Sequence, residues 1–433
     1  MSAETPHDGQ QPSPARNRFF YGWTVVGAAF LAQNFAIGIT FGGYSPLLQA
    51  LEDRFDTSRG LAATGLSMVS LSLGLMAPVI GSLLQKYSAR KIMLSGAALM
   101  AAGFALVPLV TSIYAMLAIY ALMIGVGAVC LSTVPGSTLV TRWFEYRRGT
   151  ALGIITTMPG MILFPLMVSF LLVNYGFESV YLVQAGLMVL LLPILLLIVD
   201  HPRDRGLTPL RDTSAVSGDP DDDKGKAPRD VQPLEDATPP LTQPAFWFLS
   251  LGIALFTGTA TMLSIHLVPM LTGVGATLPQ AAMVYSAFGL AITVGAPLTG
   301  LVIDRLGPMN SLLLSVALAL CSWFAMAALP AGLATYTVLA VLLGMAGGGI
   351  VTLHTSAAAV LFSQNAYSRV IGNGYLIKMP CLFAAGPVGG FIFDATQSYY
   401  AAIYTAGGVI ALAGAMFVML HLAHSRKKAR FAA

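Results

Sequence analysis

One lysine lies in the middle of a long apolar stretch near the C-terminal end of the sequence. Lys378 follows Arg369 by nine residues, so in a helix it lies about 14 Å from the start of that stretch, near the middle of a bilayer. A lysine at that depth costs about 2.5–3.5 kcal/mol on insertion scales. The 19 acidic residues all fall in tails, loops or the ends of apolar stretches, with Asp304 and Asp394 among the nearest. We therefore predict that an anion from outside the chain supplies the counter-charge.

Other polar side chains inside apolar stretches could help to bind such an anion. His266 and His354 could donate to a carboxylate or titrate near neutral pH. The further candidates supply amide or hydroxyl groups: Gln33, Asn34, Tyr44, Tyr120 and Tyr375. The alternative for each is a structural residue that packs or hydrogen-bonds between helices. For Lys378 the alternative is an amine that loses its proton through desolvation or donates to backbone carbonyls.

The composition excludes a water-soluble protein. Of the 433 residues, 56% are hydrophobic and only 10% are charged, whereas a soluble domain carries about 25% charged residues. So little charge cannot cover a surface in water, and the missing solvent must be lipid. The three cysteines, Cys130, Cys321 and Cys381, lie far apart inside apolar stretches, which indicates neither a disulfide framework nor a metal site.

The motifs that mark enzymes and ATP-driven pumps are absent from the sequence. It contains neither a phosphate-binding loop of the type Gly-x-x-x-x-Gly-Lys-Ser/Thr nor a His-Glu-x-x-His pair. The run Gly347-Gly348-Gly349 lies inside an apolar stretch, which favours close helix packing over phosphate binding. We predict a protein that is not an enzyme, with no cofactor and no metal. The chain has a net charge of +4 and its basic residues are spread over short loops between helices, so we expect no nucleic-acid partner.

Twelve stretches approach the 20 or so apolar residues that a helix needs to cross about 30 Å of hydrocarbon. This predicts an all-α membrane protein with twelve transmembrane helices in two pseudo-symmetric six-helix bundles. Predicted helices 1 to 12 span residues 21–48, 60–84, 91–110, 113–139, 149–173, 178–199, 245–272, 280–303, 309–329, 333–360, 369–393 and 398–422. The predicted domains are an N-terminal tail at 1–18, bundles at 19–199 and 244–424, a largely disordered linker at 200–243, and a basic tail at 425–433.

The distribution of lysine and arginine predicts the orientation in the membrane. Nearly all of them fall on the side that carries both tails and the linker, and Arg54 and Arg59 lie on the opposite side. Because cytoplasmic loops carry an excess of lysine and arginine, we predict a multi-pass protein of the plasma (inner) membrane with both termini in the cytoplasm.

The two predicted bundles repeat each other. Ala77-Pro78-Val79-Ile80-Gly81 ends helix 2, and Ala296-Pro297-Leu298-Thr299-Gly300 ends helix 8. Arg148-Gly149 opens helix 5, and Arg369-Val370-Ile371-Gly372 opens helix 11. Parallel repeats of this kind place a substrate site between the halves, near the middle of the membrane.

These repeated segments resemble the major facilitator superfamily. Its loop pattern Gly-x-Leu-x-Asp-Arg-x-Gly-Arg is recognisable in residues 300–307, and it is eroded in residues 81–91, where Gln85 replaces the aspartate and Ser88 the glycine. The resemblance implies a gating loop in each half, with these residues: Gly81, Arg90, Gly300, Asp304, Arg305 and Gly307.

Within that superfamily the chain resembles the monocarboxylate and oxalate:formate porters. The likeness rests on residues 143–149, 266–271 and 386–394. The monocarboxylate porters are similar in carrying an arginine just before a proline on helix 8, but here Ala296 precedes Pro297. Lys378 matches the helix 11 lysine of the oxalate porters. The resemblance thus implies a site with one central cation.

Together these features predict a secondary active transporter that moves a small organic anion, a monocarboxylate, by alternating access. We expect a monomer in the lipid bilayer, with H⁺ or a counter-transported anion as a further partner. Two alternatives stay open: proton-coupled efflux of a hydrophobic drug or metabolite, and a membrane receptor or sensor that transports nothing.

Overall fold

The computed structural model describes residues 20–210 and 239–432, and these form a bundle of helices. Eleven helical segments of the described residues are long and apolar enough to cross a membrane, and the longest of them contains two helices. The resulting helices match the twelve predicted ones in order. Their bounds are α1 Gly22–Phe55, α2 Arg59–Lys86, α3 Ala89–Leu109, α4 Ile113–Trp143, α5 149–175, α6 177–195, α7 Pro244–Gly273, α8 Leu278–Leu306, α9 Pro308–Ala328, α10 Leu333–Leu361, α11 Gln364–Thr396 and α12 Tyr400–Ser425.

Gly176 separates α5 from α6. Its φ of 81° and ψ of 179° are not helical, and glycine adopts such a conformation more readily than residues with a Cβ. Ser179 Oγ lies 3.4 Å from the carbonyl oxygen of Leu171, to which it donates. Residues eight apart in a straight helix are separated by about 12 Å, so the chain reverses direction at Gly176 and α5 and α6 form a hairpin.

Part of the predicted linker is folded against the first bundle. Residues 202–205 form a 3₁₀ turn, and the backbone of Leu210 exchanges hydrogen bonds with Trp143 and Tyr146. The guanidinium of Arg205 lies 3.7 Å from the centre of the Tyr21 ring. Residues 200–210 are thus ordered by contacts that the Pro- and Asp-rich composition did not indicate.

In the predicted basic tail at 425–433, the helix that begins with α12 continues to Ala432. The predicted N-terminal tail at 1–18 and linker residues 211–238 lie outside the described residues.

Successive helices run in opposite directions, so the bundle has two ends. The linker end carries residues 200–210 and the α2–α3, α4–α5, α8–α9 and α10–α11 connections. The far end carries the α1–α2, α3–α4, α7–α8, α9–α10 and α11–α12 connections, together with the α5–α6 hairpin.

The two halves make close contact toward the far end. Ser45 of α1 donates to the carbonyl oxygen of Ile265 at 2.8 Å, and its hydroxyl accepts from the backbone N–H of Val268 at 3.2 Å. Tyr285 of α8 donates to the carbonyl oxygen of Phe41 at 3.1 Å. These buried polar contacts join α1 to α7 and α8, so they connect the halves as well as stabilise each helix.

Packing is looser at the linker end of the helices that face the other half. At Gly81, Gly153, Gly300 and Gly372 no neighbouring atom lies within 4 Å of the position that a Cβ would take. By contrast, the backbones of Gly60 and Gly390 touch each other near the far end. The interface between the halves is therefore tighter at the far end than at the linker end.

Several helices are locally irregular. Asn34–Gly42 in α1 and Tyr120–Gly125 in α4 are π-helical, a rare geometry that often occurs at functional sites. α10 is interrupted at Gly349, which lies against Thr299 of α8 with no room for a side chain. The glycine run of α10 thus allows close packing on α8, as predicted.

Candidate functional site

Lys378 is buried beside two other predicted site residues. Its side chain is 4% exposed, and its amine donates to Nδ1 of His354 at 3.3 Å. The amine also lies 4.1 Å from the centre of the Tyr375 ring. Tyr375 and Lys378 are three residues apart and share one face of α11, while His354 comes from α10. The structure therefore brings Lys378, His354 and Tyr375 together.

Among the residues that the structure describes, no carboxylate is a partner of the Lys378 amine. The ion pairs in residues 20–210 and 239–432 join Arg59 to Glu52 and Arg142 to Asp200. Its contacts are instead with a ring nitrogen and an aromatic face. That an anion from outside the chain supplies the counter-charge of Lys378 stays a prediction.

The contact with His354 limits the charge of the pair. Two positive charges 3.3 Å apart would repel by about 5 kcal/mol at an effective dielectric constant of about 20. The pair therefore holds at most one positive charge, and when it holds one, an ammonium donates to a neutral imidazole. Because Nδ1 accepts, the ring proton is on Nε2. That nitrogen is buried and has no hydrogen-bond partner.

Ser250 of α7 lies next to this unpartnered nitrogen. Its side chain is 0% exposed, and its hydroxyl also has no hydrogen-bond partner. A Cβ on Gly374 would lie 3.2 Å from Nε2 of His354 and 3.3 Å from Oγ of Ser250. The two atoms thus flank one point on α11. Nothing in the sequence marked Ser250, because serine in an apolar helix usually bonds to its own backbone.

Of these residues, Lys378 and Tyr375 form the set that can contact an anion, with at most one positive charge. The amine retains N–H groups beyond the one given to His354, and Tyr375, whose ring the amine contacts, is 45% exposed. Hydrogen bonds from a charged donor to a carboxylate are roughly twice as strong as neutral ones. Chemically, the set can hold one carboxylate group and cannot balance two.

His266 lies away from this set, at the far end. Its Nε2 donates to the carbonyl oxygen of Gly386 at 2.9 Å, and its Nδ1 accepts from the hydroxyl of Tyr399 at 3.1 Å. Tyr399 in turn lies 3.4 Å from a guanidinium nitrogen of Arg59. Both ring nitrogens are thus used in contacts that join α7 to α11 and to the α11–α12 connection.

Tyr44 and Tyr120 are buried inside the first bundle. Their rings lie 5.5 Å apart in an edge-to-face arrangement. The hydroxyl of Tyr44 donates to the carbonyl oxygen of Ala62, and the hydroxyl of Tyr120 lies 2.9 Å from that of Tyr181. The structure does not bring these two tyrosines to Lys378, and both hydroxyls have protein partners.

Asn34 and Gln33 also lie within the first bundle. The amide of Asn34 donates to the carbonyl oxygen of Thr157 at 3.1 Å and accepts from the backbone N–H of Gly160 at 2.9 Å. These two bonds fall where α5 is interrupted between Thr156 and Gly160. The amide of Gln33 is buried without a partner. Asn34 therefore compensates for the missing backbone bonds of α5.

The predicted gating loops lie at the linker end and make few contacts. Arg90, Asp304 and Arg305 form no ion pair with the residues that the structure describes. Gly307 has a φ of 78°, which turns the chain from α8 into α9. In the first half Ser88 has extended backbone and caps α3.

Two carboxylates that sequence reasoning did not assign hold helix ends. Asp200 accepts from the hydroxyl of Ser88 and, at 2.6 Å, from the backbone N–H of Ala89. It also lies 3.7 Å from Arg142. It thus brings a carboxylate from the start of the linker to the turn where Gln85 stands in place of the usual aspartate. At the far end, Asp394 accepts from the backbone N–H groups of Arg59 and Gly60 and so holds the start of α2.

Comparison with known proteins agrees with this architecture. The family model of the Major Facilitator Superfamily matches residues 30–377 and 247–433. The chain is also similar in structure to a bacterial homologue of the human lysosomal transporter Spinster, crystallised in an inward-facing and unoccupied conformation. That similarity has a TM-score of 0.66 at 17% identity and covers 94% of this chain and 96% of the other.

Three proteins of similar sequence have names that indicate different functions. An uncharacterised MFS-type transporter, YcxA, from Bacillus subtilis is 23% identical over 87% of this chain and 90% of its own. Monocarboxylate transporter 13 from Rattus norvegicus is 24% identical over 93% and 89%. The fujikurins efflux protein from Gibberella fujikuroi is 23% identical over 79% and 70%. At these identities the similarity leaves the substrate open.

Proposed function

The chain belongs to the Major Facilitator Superfamily, and from that premise we propose that it carries a small organic anion, a monocarboxylate, across the membrane. It is a transporter and not an enzyme. The observation that carries the proposal is the buried amine of Lys378, whose hydrogen-bond partner is a neutral imidazole. Ionisable residues inside membrane helices are expensive, and they mark substrate and ion pathways.

The number of charges favours a monocarboxylate over a dianion. The Lys378–His354 pair holds at most one positive charge, and the position before Pro297, where a second cation could stand, is Ala296. One carboxylate neutralises the pair, whereas a dianion would leave a net negative charge in a medium of low dielectric constant. The similarity to monocarboxylate transporter 13 is in keeping with this substrate class.

Alternating access requires the interface between the halves to open at one end at a time. With lysine and arginine concentrated at the linker end, we place that end and both termini in the cytoplasm. The tight far end and looser linker end then correspond to a conformation that faces inward. Return to the other conformation needs the contacts of Ser45 and Tyr285 across the interface to break.

Uptake by proteoliposomes tests the proposal. Purified wild-type protein is assayed with radiolabelled acetate, lactate and benzoate, and with oxalate as a dianion. Lys378→Gln should reduce uptake of the transported monocarboxylate by about 30-fold or more, since loss of one partner of a buried charge contact costs about 2–5 kcal/mol. Lys86→Gln, which removes an exposed lysine at the linker end, is the matched control. Strong uptake that survives Lys378→Gln would contradict the site.

Efflux of a hydrophobic compound is the second candidate, because the fujikurins efflux protein is among the similar sequences. In that case Lys378 would act on coupling protons and not on the substrate. The same vesicles distinguish the two functions. Export of an uncharged hydrophobic dye, with no uptake of any acid in the panel, would favour efflux.

A further inference from the structure

Two buried polar atoms beside Lys378 have no partner in the protein. Nε2 of His354 and Oγ of Ser250 belong to side chains that are 1% and 0% exposed. Buried polar groups are nearly always satisfied by protein or by ordered water. The two atoms lie 3.2 Å and 3.3 Å from the position that a Cβ on Gly374 would take, and they make no hydrogen bond with each other. One water molecule between them would satisfy both.

These atoms lie between Lys378 and the linker end. At 1.5 Å per residue, Lys378 is about 21 Å from the start of α11 at Gln364, His354 about 10 Å from the linker end of α10, and Ser250 about 9 Å from that of α7. The imidazole and the hydroxyl thus both lie nearer the linker end than Lys378. A carboxylate bound from the Tyr375 side would meet the amine without passing the imidazole or the hydroxyl.

We propose that Ser250 and His354, with one bound water between them, form a path by which a proton leaves and reaches Lys378 from the linker end. The proposal rests on the proposed function, since Lys378 holds the transported anion, and it assigns the coupled ion as H⁺. The path is separate from the route of the substrate. His354 then links the movement of the proton to the movement of the transported anion.

The proton transfer balances at each atom. The ammonium of Lys378 gives a proton to Nδ1 of His354, while Nε2 of the same ring gives its proton to the water. The water passes a proton to Oγ of Ser250, whose own hydroxyl proton leaves toward the linker end. The pair thereby loses one proton and its single positive charge, and the bound carboxylate loses its counter-charge and can leave. Reloading runs in reverse, from water to Nε2 and from Nδ1 to the amine.

Other titratable groups near the amine are few. The helices packed against α11 are α2, α7, α10 and α12. Between Gly60 and Gln85 α2 has no titratable residue, α7 has His266 at its far end, and α10 has Tyr336 and His354. The titratable residues of α12 are tyrosines and histidines that make no contact with the amine. Among the described titratable residues, His354 and Tyr375 alone contact it.

Gly374 offers a variant that obstructs the path and removes none of its groups. A methyl group there would lie 3.2 Å from Nε2 and 3.3 Å from Oγ, in the space between the two atoms. Gly372→Ala is the matched control, because it adds the same methyl group to the same helix where no atom lies within 4 Å.

The experiment compares two modes of transport in proteoliposomes, with radiolabelled lactate or benzoate, whichever the wild type carries faster. Net uptake driven by a pH gradient requires proton release, and an internal pH dye follows it. Exchange of internal for external acid at equal pH does not require proton release. Gly374→Ala and Ser250→Ala should each reduce net uptake by about ten-fold or more and leave exchange within about two-fold of the wild type. Gly372→Ala should change neither.

Equal loss of exchange and net uptake in a variant that keeps wild-type thermal stability would overturn the path, since the residues would then serve the substrate. Unchanged net uptake in both Gly374→Ala and Ser250→Ala would overturn it as well. Absence of acid exchange by the wild type would overturn the proposed function and this path with it.

Discussion

The carboxylate of Asp394 caps the first turn of the helix that begins at Arg59, in the opposite half of the molecule. Its two oxygens accept from the backbone N–H groups of Arg59 at 3.0 Å and Gly60 at 2.9 Å. The guanidinium of Arg59 lies 3.9 Å from the centre of the Phe393 ring. An acidic group at a helix N-terminus is stabilising, and here it also closes the far end of the interface.

Asp394→Asn should therefore weaken the far-end closure. The amide retains one acceptor oxygen, and a hydrogen bond to a charged group contributes about 1.5–3 kcal/mol, so the population open at the far end should rise roughly ten-fold. Spin labels at the exposed residues Tyr114 and Leu329, one in each half, would report the distance by electron paramagnetic resonance in a cysteine-free background. Asp53→Asn, at an exposed acid of the same end, should leave the distance distribution unchanged.

The hydroxyls of Tyr120 and Tyr181 should behave as a coupled structural pair. Because they lie 2.9 Å apart and are buried, removing one leaves the other unsatisfied at a cost of about 1–3 kcal/mol. Tyr120→Phe and Tyr181→Phe should each lower the melting temperature, and the double variant should be more stable than the sum of the single effects implies. Monocarboxylate uptake by Tyr120→Phe should stay close to wild type. A selective loss of uptake at unchanged stability would instead assign Tyr120 to the substrate.

Asn34→Ala should destabilise the first bundle. The substitution leaves the backbone N–H of Gly160 and the carbonyl oxygen of Thr157 without the partner that now satisfies them, which costs about 1–3 kcal/mol for each buried group. Thermal unfolding in detergent, followed by intrinsic fluorescence, measures the loss. Asn174→Ala, which removes an exposed amide bonded within its own helix, should change the melting temperature much less. Equal stability of the two variants would be inconsistent with a special role for Asn34.

Gly307→Ala should destabilise the protein, although no neighbouring atom lies within 4 Å of the position that a Cβ would take. Its φ of 78° and ψ of 160° lie in a region that is essentially restricted to glycine, and strain of this kind costs about 1–3 kcal/mol. Lower expression and a lower melting temperature are expected. Gly300→Ala lies in the same gating loop, within the helical part of α8, and has open space around it, so it should be tolerated. A neutral Gly307→Ala would show that the α8–α9 turn can rearrange.

Much of the fold follows from composition and hydropathy. Apolar stretches of sufficient length cross the membrane as helices because the backbone has no other way to satisfy its polar groups in lipid. That rule predicted the twelve helices. Residues 200–210 fall outside that rule: their polar composition resembles a disordered linker, whereas aromatic and backbone contacts with Tyr21 and Trp143 hold them in place.

The sequence by itself determined that Lys378 lies deep in an apolar segment without an acidic residue nearby, since depth and charge depend on position along one helix. Only the tertiary structure decided which residues the amine of Lys378 contacts. Most of these helices are apolar around their circumference, so hydropathy cannot tell which face turns to which neighbour. His266 and His354 look alike in sequence, yet packing places the first in the far-end closure and the second against Lys378. Ser250 belongs to the site for the same reason, since packing places this residue of α7 beside α10 and α11.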